Sequence, residues 1–312
     1  MGIAILSGIL ASLQEMGASK PVSAASSGAS TPQLEGLPSR LPSRFIACVR
    51  RPESAKKVKA ALSDYPGQVK VVQNGNVSAA QQADVVILAC KPYMVAEVLS
   101  EPGMAEALRG KLLISILAGV TVPQMEKILY GGEGEVPADP ASQTLIVRAM
   151  PNTASLIRES MTVIATNTPP LPLESSALVS WIFKRIGDVV VLPPSTMDAC
   201  TALCGSGPAF FALVLEAAID GAVAMGLPRA EAMKMAAQTM RGTAGLVQNG
   251  DHPALLRDKV TTPGGCTIGG LLVLEEGRVR GTVARAVREA TVVASQLGKG
   301  VQGVNGTRFP TN

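Results

Sequence analysis

The sequence is poor in aromatic side chains and in charge. One Trp, three Tyr and five Phe occur in 312 residues, too few for the stacking platforms of single-strand nucleic-acid binders. Charged residues make up 17%, below the roughly 25% of an ordinary soluble domain, which excludes a supercharged or disordered chain. The 28 basic and 24 acidic residues leave a net charge of +4, and the basic ones are scattered, so no nucleic-acid partner is expected. Cys48, Cys90, Cys200, Cys204 and Cys266 are odd in number and partly embedded in apolar runs, which argues against a disulfide framework and for reduced thiols. Cys200 and Cys204 can share a helix face, but no neighbouring His or Cys completes a metal site. No apolar run reaches the ~18 residues of a membrane span. Met1-Gly2-Ile3-Ala4-Ile5-Leu6-Ser7 lacks the basic start of a secretory signal, and Leu6 stands where a myristoylation motif takes Ser or Thr. The expectation is a cytoplasmic protein with no metal and no membrane partner.

What is abundant is apolar: 47% of the residues are hydrophobic, and the length suits two domains of about 150 residues each. Residues 3–16 read as a helix, followed at 20–44 by a Ser/Pro/Ala/Gly-rich stretch expected to be a flexible insertion. Short apolar runs at 45–49, 69–72, 84–89, 112–117, 145–149, 161–165 and 188–192 read as strands. Helical patterns at 54–62, 95–99, 122–129 and 175–184 separate most of them. This alternation predicts a Rossmann-like, doubly wound parallel sheet covered on both faces, with a second polar insertion at 131–143. After Pro193-Pro194 the strands stop, and 197–298 reads as helices only. The domains are therefore expected at 1–193, for dinucleotide binding, and 194–312, for dimerisation and substrate. The run from Phe210 to Met225 is apolar almost all round, with Glu216 and Asp220 as its polar stripe. Such a helix is usually buried, here by a second subunit.

A dinucleotide-binding unit opens with a strand and then G-x-G-x-x-G, the last glycine just inside the helix. Only that last position, Gly2, is within the sequence. The first strand of such a sheet is central and pairs on both sides, so the chain as written is expected to bind the dinucleotide weakly.

More specific is the segment Pro253-Ala254-Leu255-Leu256-Arg257-Asp258-Lys259-Val260-Thr261-Thr262-Pro263-Gly264-Gly265-Cys266-Thr267. It is supported by Ala89-Cys90-Lys91-Pro92, Ala118-Gly119-Val120-Thr121, Met150-Pro151-Asn152-Thr153 and Leu203-Cys204-Gly205-Ser206-Gly207-Pro208-Ala209-Phe210. Together these resemble the pyrroline-5-carboxylate reductases, from residue 1 to about residue 298 apart from the two insertions. The resemblance implies reduction of the C=N bond of 1-pyrroline-5-carboxylate to L-proline by NADPH or NADH, with NADPH expected to be preferred. It also implies a homodimer or higher homo-oligomer whose helical domains interlock.

The same resemblance implies that Thr267 is the catalytic residue and that Val260, Gly265, Cys266 and Thr267 bind substrate. Gly2, Cys48, Asn76, Ala89, Cys90, Lys91, Pro92, Ala118 and Asn152 would line the cofactor path. Arg50 and Arg51, beyond the strand that ends at Cys48-Val49, are placed where Rossmann folds hold the adenosine ribose and can pair with a 2′-phosphate. Backbone N–H groups at a helix start are unpaired donors, suited to a substrate carboxylate, and Gly264 and Gly265 allow close backbone approach. The plain alternative for Thr267 is a helix N-cap, and for the two arginines solvated ends. His252, the single histidine, reads as a surface cap beside Pro253. Two other functions stay open: a β-hydroxyacid dehydrogenase using Lys234 or Lys259, and a truncated non-catalytic subunit that only oligomerises.

Overall fold

The computed structural model describes residues 1–18, 38–131, 137, 139–298, 304, 306 and 307. Most of the expected 20–44 insertion, and 132–136 and 138 of the second one, lie outside them. The chain opens on helix α1 (Gly2–Ala18), which leads to β1 (Phe45–Val49), α2 (Pro52–Ala61), β2 (Val69–Gln73), α3 (Asn76–Gln82), β3 (Val85–Leu88), α4 (Val95–Leu99), α5 (Met104–Leu108) and β4 (Leu112–Ser115). Then come α6 (Val122–Tyr130), β5 (Leu145–Met150), β6 (Ser160–Ala165), α7 (Leu173–Lys184) and β7 (Gly187–Leu192).

The strands form a parallel pair β1-β2 and a five-stranded sheet in the order β3-β4-β5-β6-β7. Among the described residues no strand joins β1 to β3. One correction to the expected parallel sheet concerns β6, which runs antiparallel to β5 and parallel to β7. Its link from β5 spans only 151–159, shorter than the dozen or more residues a parallel crossover needs, so the chain turns straight back.

Period-two alternation puts β4 between two cores. Leu112 and Ile114 join one apolar cluster with Val147, Ile164, Phe183 and Ile186, while Leu113 joins the other with Leu108, Met125 and Ile146. Helix α1 straddles the division between the sheets. Ile5 and Ile9 pack on the larger sheet's cluster, and Leu10 packs with Val58 of α2 and Leu62 just after it, together with side chains of β1 and β2. Ser12 of α1 accepts a 2.9 Å hydrogen bond from Arg185, whose guanidinium lies 5.2 Å over the Trp181 ring.

The second half is helical: α8 (Met197–Cys200), a π-turn at Thr201–Ser206, α9 (Gly207–Ala224), α10 (Arg229–Gln248), α11 (Pro253–Val260), α12 (Cys266–Glu276) and α13 (Val279–Gly298). Helix α13 folds back onto α8 and the π-turn, and α10 lies along α9. The helical path from Pro194 to Ala224 is long and apolar enough, by length and composition, to cross a membrane. The sequence expectation concerned an uninterrupted apolar run, and this path carries Asp198, Glu216 and Asp220.

Gly8 marks the tightest approach of α1. A β-carbon there would come within 2.6 Å of Ile186 Cγ2 and 2.8 Å of the Arg185 carbonyl. Gly8→Ala should therefore destabilise the fold by about 1–3 kcal/mol, the usual cost of overpacking, read as a melting point lowered by several degrees. An unchanged melting point would mean that α1 is not seated against the α7–β7 turn.

Candidate active site

The cofactor-side residues expected from sequence gather at the C-terminal ends of the parallel strands, where ligands of open α/β sheets bind. Gly2 opens α1 and faces Ala89, to whose Cβ an added β-carbon would come within 3.5 Å. The first helical bond runs from the Ile5 N–H to the Met1 carbonyl at 3.1 Å, and the first turn carries no acidic residue. The amides of Gly2, Ile3 and Ala4 thus remain as donors at the positive end of the helix. Cys48 lies on β1, Arg50 just beyond it, and Arg51 is the N-cap residue of α2 without a side-chain cap bond. Lys91 precedes the 3₁₀ turn Pro92–Met94. Ala118 follows β4, where Gln124 Nε2 donates to the Gly298 carbonyl at 2.7 Å and fastens the end of α13 beside it.

Burial pushes the Cys90 thiol upward, a backbone hydrogen bond pulls the other way, and the Glu97 carboxylate adds a smaller upward push. Asn152 is committed locally. Its side chain accepts from the Ala154 N–H at 3.0 Å and its own N–H donates to Ser160 Oγ at 2.9 Å. It therefore shapes the loop after β5.

The substrate-side residues form a separate group. Gly264 has φ +67°, a left-handed value that favours glycine, and the Gly265 N–H donates to the Thr262 carbonyl at 3.1 Å. This turn delivers the chain into α12, whose N-cap residue is Gly265. Thr267 is consequently the second residue of the helix, two positions past the cap, and its hydroxyl makes no hydrogen bond among the described residues. The N-cap alternative for Thr267 is thereby removed. Val260 and Cys266 are exposed, and α12 packs against α13 rather than the strands.

Other expected roles resolve simply. The His252 ring accepts from the Ala254 N–H at 3.3 Å, as a cap of α11. Asp220 pairs with Arg229 at 2.8 Å and Lys259 with Asp251 at 2.7 Å; all five cysteines are free thiols.

Two features escaped the sequence reading. Glu97 and Glu101 hold Arg50 and Asn76, but nothing in an isolated pair of glutamates announces that. Arg148, in contrast, interrupts an apolar strand, and that interruption was a usable signal. It is 5% exposed, and its Nε has no hydrogen-bond partner among the described residues. Burial lowers its pKa, and the Asp198 carboxylate on α8 partly offsets this.

Comparison with known proteins decides the relationship. Residues 194–297 match the family described as pyrroline-5-carboxylate reductase dimerisation, and residues 4–119 match that described as NADP oxidoreductase coenzyme F420-dependent. A pyrroline-5-carboxylate reductase of Lophium arboricola is 69% identical over 311 residues, spanning 99% of this chain and 94% of that protein. The chain belongs to the pyrroline-5-carboxylate reductase family. Another member, from Neurospora crassa, is 58% identical over 99% of the chain and 93% of its own length. Among solved structures, the pyrroline-5-carboxylate reductase of Coxiella burnetii superposes with a TM-score of 0.70 at 28% identity, covering 94% of this chain and 95% of that one. The Plasmodium falciparum pyrroline carboxylate reductase with NADP bound gives 0.65 at 30% identity, over 75% and 84% of the two chains.

The uncapped, unpaired Thr267 yields a direct test. Thr267→Ser keeps the hydroxyl and should keep most activity. Thr267→Val keeps the shape but removes a hydrogen bond of about 0.5–1.5 kcal/mol, more if the partner is charged, and should lower kcat/KM about tenfold. The melting temperature should not move, because no cap is lost. An unaltered kcat/KM in Thr267→Val would put the substrate elsewhere.

Proposed function

We propose that this protein reduces 1-pyrroline-5-carboxylate to L-proline with NADPH as its preferred cofactor. The observation that carries the reading is the free Thr267 hydroxyl at the start of α12, beside backbone donors that no side chain caps. NADPH oxidation that depends on added 1-pyrroline-5-carboxylate and yields proline is the measurement that tests it. Cofactor consumption with β-hydroxyacids instead would favour the dehydrogenase alternative.

The residues present suit NADP. The open amides at the start of α1 are directed as a diphosphate requires, and Arg51 carries a cation with no hydrogen-bond partner among the described residues. When bound, the cofactor supplies the hydride to the C=N carbon. What the chain itself contributes is binding and orientation. The first-turn N–H groups of α12 seat the substrate carboxylate, the left-handed Gly264 lets the turn close on it, and Thr267 Oγ1 fixes the ring nitrogen or the carboxylate. Water supplies the proton to the ring nitrogen, and His252 takes no part.

The site is shared between copies. The exposed apolar faces of α9 and α12 support burial by a twin chain, whose cofactor-side loops then meet the Thr267 turn. Residues 1–193 and 194–312 then act as cofactor and substrate-dimerisation domains. Free thiols suit a cytoplasmic location.

Arg50 and Arg51 decide between the two nicotinamide cofactors. Charge-assisted bonds to a phosphate are worth about 1.5–3 kcal/mol. Changing both residues to Ala should lower kcat/KM for NADPH roughly ten- to a hundredfold and leave NADH nearly untouched. Equal losses with both cofactors would contradict this assignment.

A further inference from the structure

Glu97 lies on α4, and Glu101 follows in the next turn. Each carboxylate holds a donor of the adenosine side. Arg50 Nη1 donates to Glu97 Oε1 at 3.0 Å and Oε2 at 3.2 Å, and Asn76 Nδ2 donates to Glu101 Oε2 at 3.1 Å. Glu97 also acts electrostatically on Cys90 in the loop after β3. The loops after β1 and β3 therefore meet at this one carboxylate. The Arg50 and Glu97 side chains are 51% and 63% exposed, so a dissolved anion can reach the guanidinium.

We propose that Glu97 is a specificity-determining residue, a carboxylate that occupies Arg50 until the 2′-phosphate of the cofactor displaces it. This rests on the reading of Arg50 as the phosphate partner. Glu97 takes both its bonds from the one Nη1. A guanidinium donates as readily to a phosphate as to a carboxylate, so the two anions compete for that nitrogen. After the exchange the released carboxylate stays beside a dianionic phosphate, a like-charge pair that disfavours the phosphorylated cofactor alone. NADH, with a 2′-hydroxyl, leaves the Arg50–Glu97 pair intact. Glu97 therefore narrows a preference for NADPH that Arg50 and Arg51 create. The effect is limited, because exposed ion pairs are weak.

Calorimetric titration of the full chain with 2′,5′-ADP and with 5′-AMP tests this without turnover. Glu97→Gln should bind 2′,5′-ADP about twofold to fivefold more tightly with 5′-AMP unchanged, and Arg50→Ala should weaken 2′,5′-ADP and abolish the gain in the double variant. If Arg50→Ala weakens binding but Glu97→Gln does not tighten it, the role of Glu97 is overturned while Arg50 keeps its own. Equal tightening of both ligands overturns it too, as a general charge effect. If Arg50→Ala changes nothing, or the unaltered chain binds no 2′,5′-ADP, the reading of Arg50 fails and the inference with it.

Discussion

The helical half cannot bury its own apolar side chains. In α9, Phe211 is 54% and Leu213 66% exposed, and in α12 Leu272, Val273 and Leu274 are more than half exposed, far beyond the scattered apolar exposure of a monomer. At roughly 25 cal/mol per Å², such faces favour association strongly. The same constraint accounts for the long apolar path from Pro194 to Ala224, whose composition suits a lipid phase and equally a protein interface. Because the Thr267 turn joins α11 to α12, whatever covers these helices also positions that turn.

The sheet half solves a different problem. Its strands form two groups, and α1 packs on both, with Ile5 and Ile9 on one side and Leu10 on the other. A helix so placed aims its amino-terminal amides at the strand ends. Nearby, positive and polar groups are held in readiness: Arg50 by Glu97 and Asn76 by Glu101. Both donors are thus kept from facing solvent unpaired.

Most of the strands were legible because buried parallel strands are continuous apolar runs, and Leu112 through Ser115 is buried at every position. The helical half was legible from the disappearance of that pattern after Pro194. Antiparallel β6 was not, since direction depends on the length of a connection rather than on composition. Short α3 and α5 were missed because they carry little amphipathic repeat. Of the site, the Pro263-Gly264-Gly265-Cys266-Thr267 turn was legible as a turn feeding a helix. Its cap was misplaced because Gly265, not a hydroxyl, takes that position. The Arg50–Glu97 and Asn76–Glu101 pairs join segments 47 and 25 residues apart, and only folding brings them together.

Specific activity and molar mass followed together along a dilution series test the dependence of the site on a second copy. The account predicts that NADPH oxidation with 1-pyrroline-5-carboxylate declines in step with the oligomeric fraction, recovers on reconcentration, and is absent from the monomer. A monomer retaining full specific activity would contradict it.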